Sequence, residues 1–388
     1  MKQETINRDG GILIITGEAS GDNYAAMVIS EIKKCKPERE ILAVGGDKSY
    51  EAGAKLIAHY SSISVLGLLE VAGKLPKIIS LLQKIKCLIR EGSIETLLLI
   101  DFPDFNFRVG KYARRRGIRV VYYIPPQMWA WREGRVAVVD EMSDYIVVPF
   151  PFEVDFFGDR GVKAHFYGHP LVEMIRKSGK NPAGTTGESE GASKKEGITL
   201  ALFPGSRETE VVRLLPLQLE SARILKDIHE DIQFVLPLAH RHLKELVRSF
   251  IKRSGVNVEL IETKPPSLHD RIDLAIASSG TVTLELAING VPTVVIYRVS
   301  PVTYLVGRGL VKVDSIALPN ILLKKKIFPE LIQGDATPRN IVKEVERFVM
   351  DDKLRDNVRD EGKIILGMLE GCGPAKKVAE YICGQGVR

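Results

Sequence analysis

Two doubly wound α/β domains are what this sequence predicts, and three observations predict them. Short apolar runs alternate with amphipathic helical stretches, the alternation breaks once near the middle of the chain, and the same rhythm then resumes. A length of 388 residues also exceeds what one core ordinarily serves, which favours two domains of somewhat under about 200 residues each.

In the first half the strand candidates are "GILIIT", "ILAVGG", "TLLLID", "RVVYYI" and "YIVVP". All are β-branched or aliphatic almost throughout, the pattern of strands covered on both faces and therefore of parallel sheets. Helical periodicity fills the intervals, as at 24–34 and 75–90. The break at 177–197, "KSGKNPAGTTGESEGASKKEG", has no large apolar residue to bury and reads as a linker. After it come "ITLALFP", "IQFVLPL", "VNVELI", "LAIAS" and "PTVVIYR". The reading places a first domain at 1–176, the linker at 177–197, a second domain at 198–345, and amphipathic helices at 346–388 that pack back across both halves. Ligands of such sheets collect at the carboxyl ends of the strands, so two sheets facing a shared cleft are expected.

Composition narrows the partners. Fifty-five basic against 49 acidic residues leave a net charge of +6, a mild excess suited to an anionic partner. The cations gather beside apolar or aromatic residues in "KYARRRGIR", "WREGR" and "LLKKKIF", as on a surface facing anionic lipid or phosphate. They sit on no recognition module for nucleic acid. Four cysteines at no metal or redox spacing fit a reducing cytosol. "HRH" at 240–242 lacks further ligands and reads as a solvated helix start, so no metal and no cofactor are expected. No apolar stretch approaches the roughly 18 to 20 residues of a membrane span.

Four strand ends are loaded with polar residues: "TGEASGD" (16–22), "IDFPDFNFR" (100–108), "FPGSRETE" (203–210) and "ASSGTVTLE" (277–285). "SSGT" opens a helix that ends at Asn289 and Gly290. The N–H groups of Gly280 and Thr281 would then offer a diphosphate seat, and Glu285, one turn inside, could accept hydrogen bonds from a ribose diol. "PGSR" offers Gly205 and Ser206 as small backbone donors and Arg207 as a guanidinium fork. Two phosphate seats with neither a Walker lysine nor GxGxxG suggest a nucleotide sugar whose diphosphate departs. The first half supplies acids, Asp101 and Asp104 with Asn106 beside them and Glu18 in the first loop, any of which could take a proton from an attacking sugar hydroxyl.

The blocks "GEASGD", "IDFPDFNFR", "PPQMWAWREGRV", "PFPFE", "YGHPL", "PGSRETEV", "SSGTVTLE" and "VKVDSIALPN", in order over about residues 11 to 340, resemble the lipid-A-disaccharide synthases. The resemblance implies a metal-independent, inverting glycosyltransferase of the B type, with two Rossmann-like domains. Such an enzyme joins UDP-2,3-diacylglucosamine to 2,3-diacylglucosamine 1-phosphate through a β(1→6) bond and releases UDP. It implies Asp104 as general base with Asp101 as understudy, and Glu18 as an active-site acid. Arg207 and Asn320 become donor-site residues, and Ser279 to Glu285 the UDP seat. Gly17 and Gly21 would let backbone approach the acceptor. It also implies a cytoplasmic protein, peripheral on the inner face of the inner membrane of a Gram-negative-type bacterium.

Lipid substrates need an apolar path, because about ten methylenes left in water cost nearly 8 kcal/mol. "ISVLGLLEVAG" (63–73) is the candidate, with Val65, Leu66 and Leu68 contacting the membrane surface alongside Trp129, Trp131, Arg132 and Arg135. "SPVTYLVGRGLVKV" (300–313) could serve a lipid surface, a homodimer contact or the crossing between domains. Two rival readings stay open on the residues alone: a UDP-sugar 2-epimerase of the same build, and a membrane adaptor that binds UDP without turnover.

Overall fold

The computed structural model describes residues 10–62, 68–131, 133–177, 197–262, 268–300, 304 and 314–385, apart from the side chains of 68–74, 131 and 177. Val65, Leu66 and Arg132, the linker between Lys177 and Gly197, and most of 300–313 lie outside the described residues. Leu68 and Trp131 are described in backbone only.

The chain divides into two compact units, Met1–Glu173 with Leu369–Arg388, and Met174–Met368. The first unit runs β1 (Gly11–Ile15), α1 (Ala19–Cys35), β2 (Ile41–Gly45), α2 (Asp47–Glu51), β3 (Lys55–His59), α3 (Leu68–Arg90), β4 (Ile94–Ile100) and α4 (Pro103–Arg114). It continues with β5 (Arg119–Tyr123), α5 (Met128–Trp131), α6 (Val136–Met142), β6 (Tyr145–Val147), α7 (Pro151–Gly158) and the start of α8 (Pro170–Lys177). The second holds β7 (Thr199–Phe203), α9 (Glu208–Ile228), β8 (Gln233–Pro237), α10 (Lys244–Ser254), β9 (Val258–Ile261), β10 (Leu274–Ser278) and α11 (Thr281–Ile288). It closes with β11 (Thr293–Tyr297), α12 (Leu318–Leu323), β12 (Glu330–Ile332), α13 (Pro338–Met350) and α14 (Asp352–Leu369). The last helix, α15 (Pro374–Ile382), packs on α1 of the first unit.

Among the described residues each unit has one six-stranded parallel sheet, in the order β3-β2-β1-β4-β5-β6 and β12-β11-β10-β7-β8-β9. The apolar runs account for this. Leu13, Ile14 and Ile15 have no exposed surface, nor do Leu97 to Ile100 or Leu200 to Leu202. Strands buried on both faces are what helices on two sides of a parallel sheet produce. Strand order reverses between β1 and β4 in the first sheet and between β7 and β10 in the second. The loops leaving those strands diverge there, which opens the crevice where doubly wound sheets hold ligands.

Two edge strands depart from the sequence reading. β3 ("KLIAH") and β12 ("ELI") are short and only partly buried, so neither shows an apolar run. The helix expected at 75–90 begins at Leu68 and carries Pro76 inside it. A chain that turns helical before a proline gives no sequence mark of its start. Residues 369–388 return to the first unit, where the His169 N–H donates to the Leu369 carbonyl at 2.9 Å and Tyr381 stacks on Tyr145 at a centroid distance of 4.0 Å.

Candidate active site

The first sheet gathers its polar loops at the carboxyl ends of β1, β4 and β5. Asp101 and Phe102 follow β4 with φ of 46° and 49°, and Ile124 follows β5 with φ of 58°. Three non-glycine residues in the left-handed region of adjacent loops cost about 1–3 kcal/mol each and need support from their surroundings. The support is visible. Asp101 N–H donates to the Ile124 carbonyl at 3.1 Å, and Ile124 N–H to that of Val147 at 2.8 Å. The Asp101 carbonyl accepts from Tyr122 Oη at 2.9 Å and from Asn106 Nδ2 at 2.6 Å. Asn106, expected to meet the acceptor, is instead fully buried and spends its amide on the Ile100 and Asp101 carbonyls. It shapes the loop that carries the acids.

Asp104 enters α4 just behind Pro103, so the helix dipole favours its charge. Its side chain is 73% exposed and accepts from Arg135 Nη2 at 2.8 Å. Arg135 also lies over the Phe107 ring at 5.2 Å, so this cation orients an acid rather than facing a lipid surface as expected. Glu18 is the N-cap residue of α1 and accepts from Ser20 Oγ at 2.5 Å. The two glycines of "GEASG" have local reasons. A Cβ on Gly17 would lie 2.4 Å from the Phe102 ring, and one on Gly21 2.0 Å from Thr16 Oγ1, so protein atoms fill the space assigned to ligand. Asp22 of the same block is buried and accepts from the N–H groups of Gly46, Lys48 and Ser49, tying α1 to α2.

In the second unit the loops after β7 and β10 flank the strand-order reversal. Gly280 is the N-cap residue of α11, at φ 152° with open space where a Cβ would stand, and Asn289 and Gly290 end the helix as expected. Ser279 Oγ donates to the Ile316 carbonyl at 2.8 Å, which pins this loop to the one before α12. Glu285, one turn in, pairs with His269 Nε2 at 2.9 Å, a partner that sequence spacing does not reveal. Arg207 caps α9 and pairs with Glu210 at 3.0 Å. The backbone donors of Ser206 and Arg207 are engaged by that same Glu210. Asn320, expected at the donor site, is 2% exposed and saturated. Its Nδ2 donates to the Phe328 carbonyl and Glu330 Oε1, and its Oδ1 accepts from the N–H groups of Ile327 and Phe328.

Trp129 turns its indole N–H inward, donating to Glu153 Oε1 at 2.7 Å, whereas the sequence reading has it facing lipid. Phe150 N–H donates to Oε2 at 3.2 Å. Glu153 is 1% exposed, and burial outweighs both hydrogen bonds, pushing its carboxyl up to about 8. The folded protein therefore holds a proton that the unfolded chain releases above its ordinary 4.5, so this group's contribution to stability declines as pH rises from about 4.5 to about 8. His169 runs the other way. Burial lowers it to about 3, and its contribution is lost as pH falls below 6.5. Glu153→Gln keeps an acceptor for Trp129 and forfeits the Phe150 bond, costing about 1 kcal/mol at pH 5. It should also abolish roughly a few kcal/mol of decline between pH 5 and 8. Thermal unfolding of both proteins at the two pH values checks this.

A groove of about 440 Å³ lies against β3 and α3, with Ile57, Ala58 and Leu81 as apolar lining and Lys77 and Lys84 as its cations. Among the described residues no helix is long and apolar enough to cross a membrane, and no three His, Cys, Asp or Glu are grouped to hold a metal ion.

Comparison with known proteins bears on the family and the fold. A family profile described as lipid-A-disaccharide synthetase matches residues 12–371. The lipid-A-disaccharide synthase of Geobacter sulfurreducens is 37% identical over 380 residues, covering 97% of this chain and 98% of that one. Among solved structures, the Neisseria meningitidis UDP-GlcNAc 2-epimerase bound to UDP-GlcNAc has a TM-score of 0.63 at 13% identity, over 96% of this chain and 98% of that chain. Acinetobacter baumannii MurG has 0.54 at 12%, over 96% and 99%. At those identities the structural likeness shows the fold alone, the two-domain B-type architecture, and the epimerase reading gains nothing beyond it. By sequence over almost its whole length, the chain belongs to the lipid-A-disaccharide synthase family, glycosyltransferases that condense a UDP-diacylglucosamine with a diacylglucosamine 1-phosphate.

Proposed function

We propose that the first unit presents the lipid acceptor and the second the UDP-sugar, and that transfer is a single inverting displacement. The observation that supports this is topological: the polar loops leave β1 and β4 in one sheet and β7 and β10 in the other, the strand pairs at which order reverses. The donor is UDP-2,3-diacylglucosamine and the acceptor 2,3-diacylglucosamine 1-phosphate. The acceptor 6-hydroxyl oxygen attacks the anomeric carbon as the bond to the UDP phosphate oxygen breaks. The hydroxyl proton passes to Asp104, and the bonding electrons leave with UDP. Asp104 suits the task because it is exposed to an incoming hydroxyl yet oriented by Arg135. Asp101 stands at the end of the same strand, β4, and Glu18 beyond the end of β1, the adjacent strand. Arg207 and the N–H groups of Gly280 and Thr281 receive the charge that builds on the departing phosphates. Glu285, steadied by His269, accepts from the ribose diol.

On the membrane side, Leu75 and Ile79 are 42% and 44% exposed one turn apart on α3, beside the groove with Lys77 and Lys84. Apolar residues next to cations suit an anionic bilayer surface. In this reading the face takes the acyl chains at the cytoplasmic side of the inner membrane. Incubating the purified protein with both lipids should yield a disaccharide 1-phosphate by mass and a β linkage by NMR. An isomerised UDP-sugar without disaccharide would overturn the reading.

A further inference from the structure

The loop after β7 already holds an anion. Glu210, in the first turn of α9, folds back so that Oε2 accepts from the N–H groups of Ser206 at 2.9 Å and Arg207 at 3.2 Å, while Oε1 accepts from Arg207 Nη1 at 3.0 Å. Gly205, at φ 114°, makes the room: a Cβ there would stand 2.3 Å from Glu210 Oε2. The result is two amides and a guanidinium nitrogen around one carboxylate, whose side chain is 19% exposed. Its charge reaches β11 as well, where burial first and Glu210 second raise the Tyr297 hydroxyl.

Carboxylate and phosphate oxygens call on the same donors, a guanidinium fork and helix-terminal amides. We propose that Glu210 is a positioning residue that competes with the diphosphate of UDP for Arg207. With the site empty it fixes Arg207 at the carboxyl end of β7; with UDP bound it shares Arg207 with the phosphates, and its charge weakens UDP binding and favours release of the product. The proposal rests on the reading that Arg207 meets the UDP phosphates.

Titration calorimetry of the full chain with UDP and with uridine tests it, on the parent, Glu210→Gln, Glu210→Ala, Arg207→Ala and the Glu210→Gln, Arg207→Ala double variant. Removing one partly screened charge should tighten UDP about three- to tenfold in both Glu210 variants. Uridine, which has no phosphate, should bind unchanged, and the gain should vanish when Arg207 is absent. Far-UV circular dichroism establishes that each variant is folded, and the alanine variant removes the charge independently of the glutamine. Unchanged or weaker UDP binding in the folded Glu210 variants, or an equal gain for uridine, would overturn the competition. If Arg207→Ala binds UDP as the parent does, the reading of Arg207 itself fails; a normal loss there with no gain at Glu210 sinks the competition alone.

Discussion

Asp104→Asn is expected to lower kcat by about 10²- to 10⁴-fold, the range that a positioned general base commonly supplies. Affinity for UDP should stay at the parent value, because the residue belongs to the first unit and the UDP seat is assigned to the second. The fold should tolerate the change. The side chain is 73% exposed, and its attachments include the Arg135 pair and a favourable place in the first turn of α4. Removing the charge from both costs about 1 kcal/mol. Asparagine keeps the shape and a hydrogen-bond acceptor for Arg135 but cannot take a proton. Steady-state kinetics at saturating substrate, with a parallel unfolding curve, separates chemistry from folding. Turnover near the parent value would pass the role of base to Asp101 or Glu18, each tested by the same isosteric change.

Asn320→Ala should act on stability first, by about 3–5 kcal/mol. The amide is the centre of a buried knot. Without it the N–H groups of Ile327 and Phe328 lose their acceptor, the Phe328 carbonyl loses a donor, and Glu330 keeps only the N–H groups of Ile316 and Ala317 among these bonds. Each buried polar group left without a partner costs about 1–3 kcal/mol, and the loops can recover part of that by relaxing. Activity then falls as a consequence, because the Ile316 carbonyl anchors Ser279 at the start of the proposed UDP seat. Denaturant unfolding monitored with the UDP-sugar KM checks the order of events. A variant as stable as the parent but with a raised KM would make Asn320 a direct ligand contact.

Much of the architecture was legible in the sequence because burial on both faces leaves a continuous apolar run; nine of the twelve strands among the described residues carry such a run, and the edge strand β9 was legible although Glu259 interrupts it. β3 and β12 were not, since an edge strand can mix Lys55, His59 or Glu330 into a few residues without penalty. The loops of the candidate site were legible as places, through glycine, proline and acids after strands. Their internal wiring was not. Glu210 reaches back only three residues to Arg207, and the capping pattern is readable there in principle: an acid at the third helical position is the signal. Glu153 with Trp129, His269 with Glu285 and Arg135 with Asp104 are separated by 16 to 31 residues, and nothing in a single sequence couples them. Gly17 and Gly21 illustrate the opposite error. Glycine after a strand signals close approach, and only coordinates reveal that the approaching groups are Phe102 and Thr16.

Hydrogen–deuterium exchange on the full chain, with UDP and the acceptor lipid added separately, bears most directly on the division of labour between the two sheets. UDP should slow exchange in the loops 203–210 and 279–285, and the acceptor in 16–22 and 101–106. Protection by UDP at the first sheet's loops, with none at 203–210 or 279–285, would contradict the account.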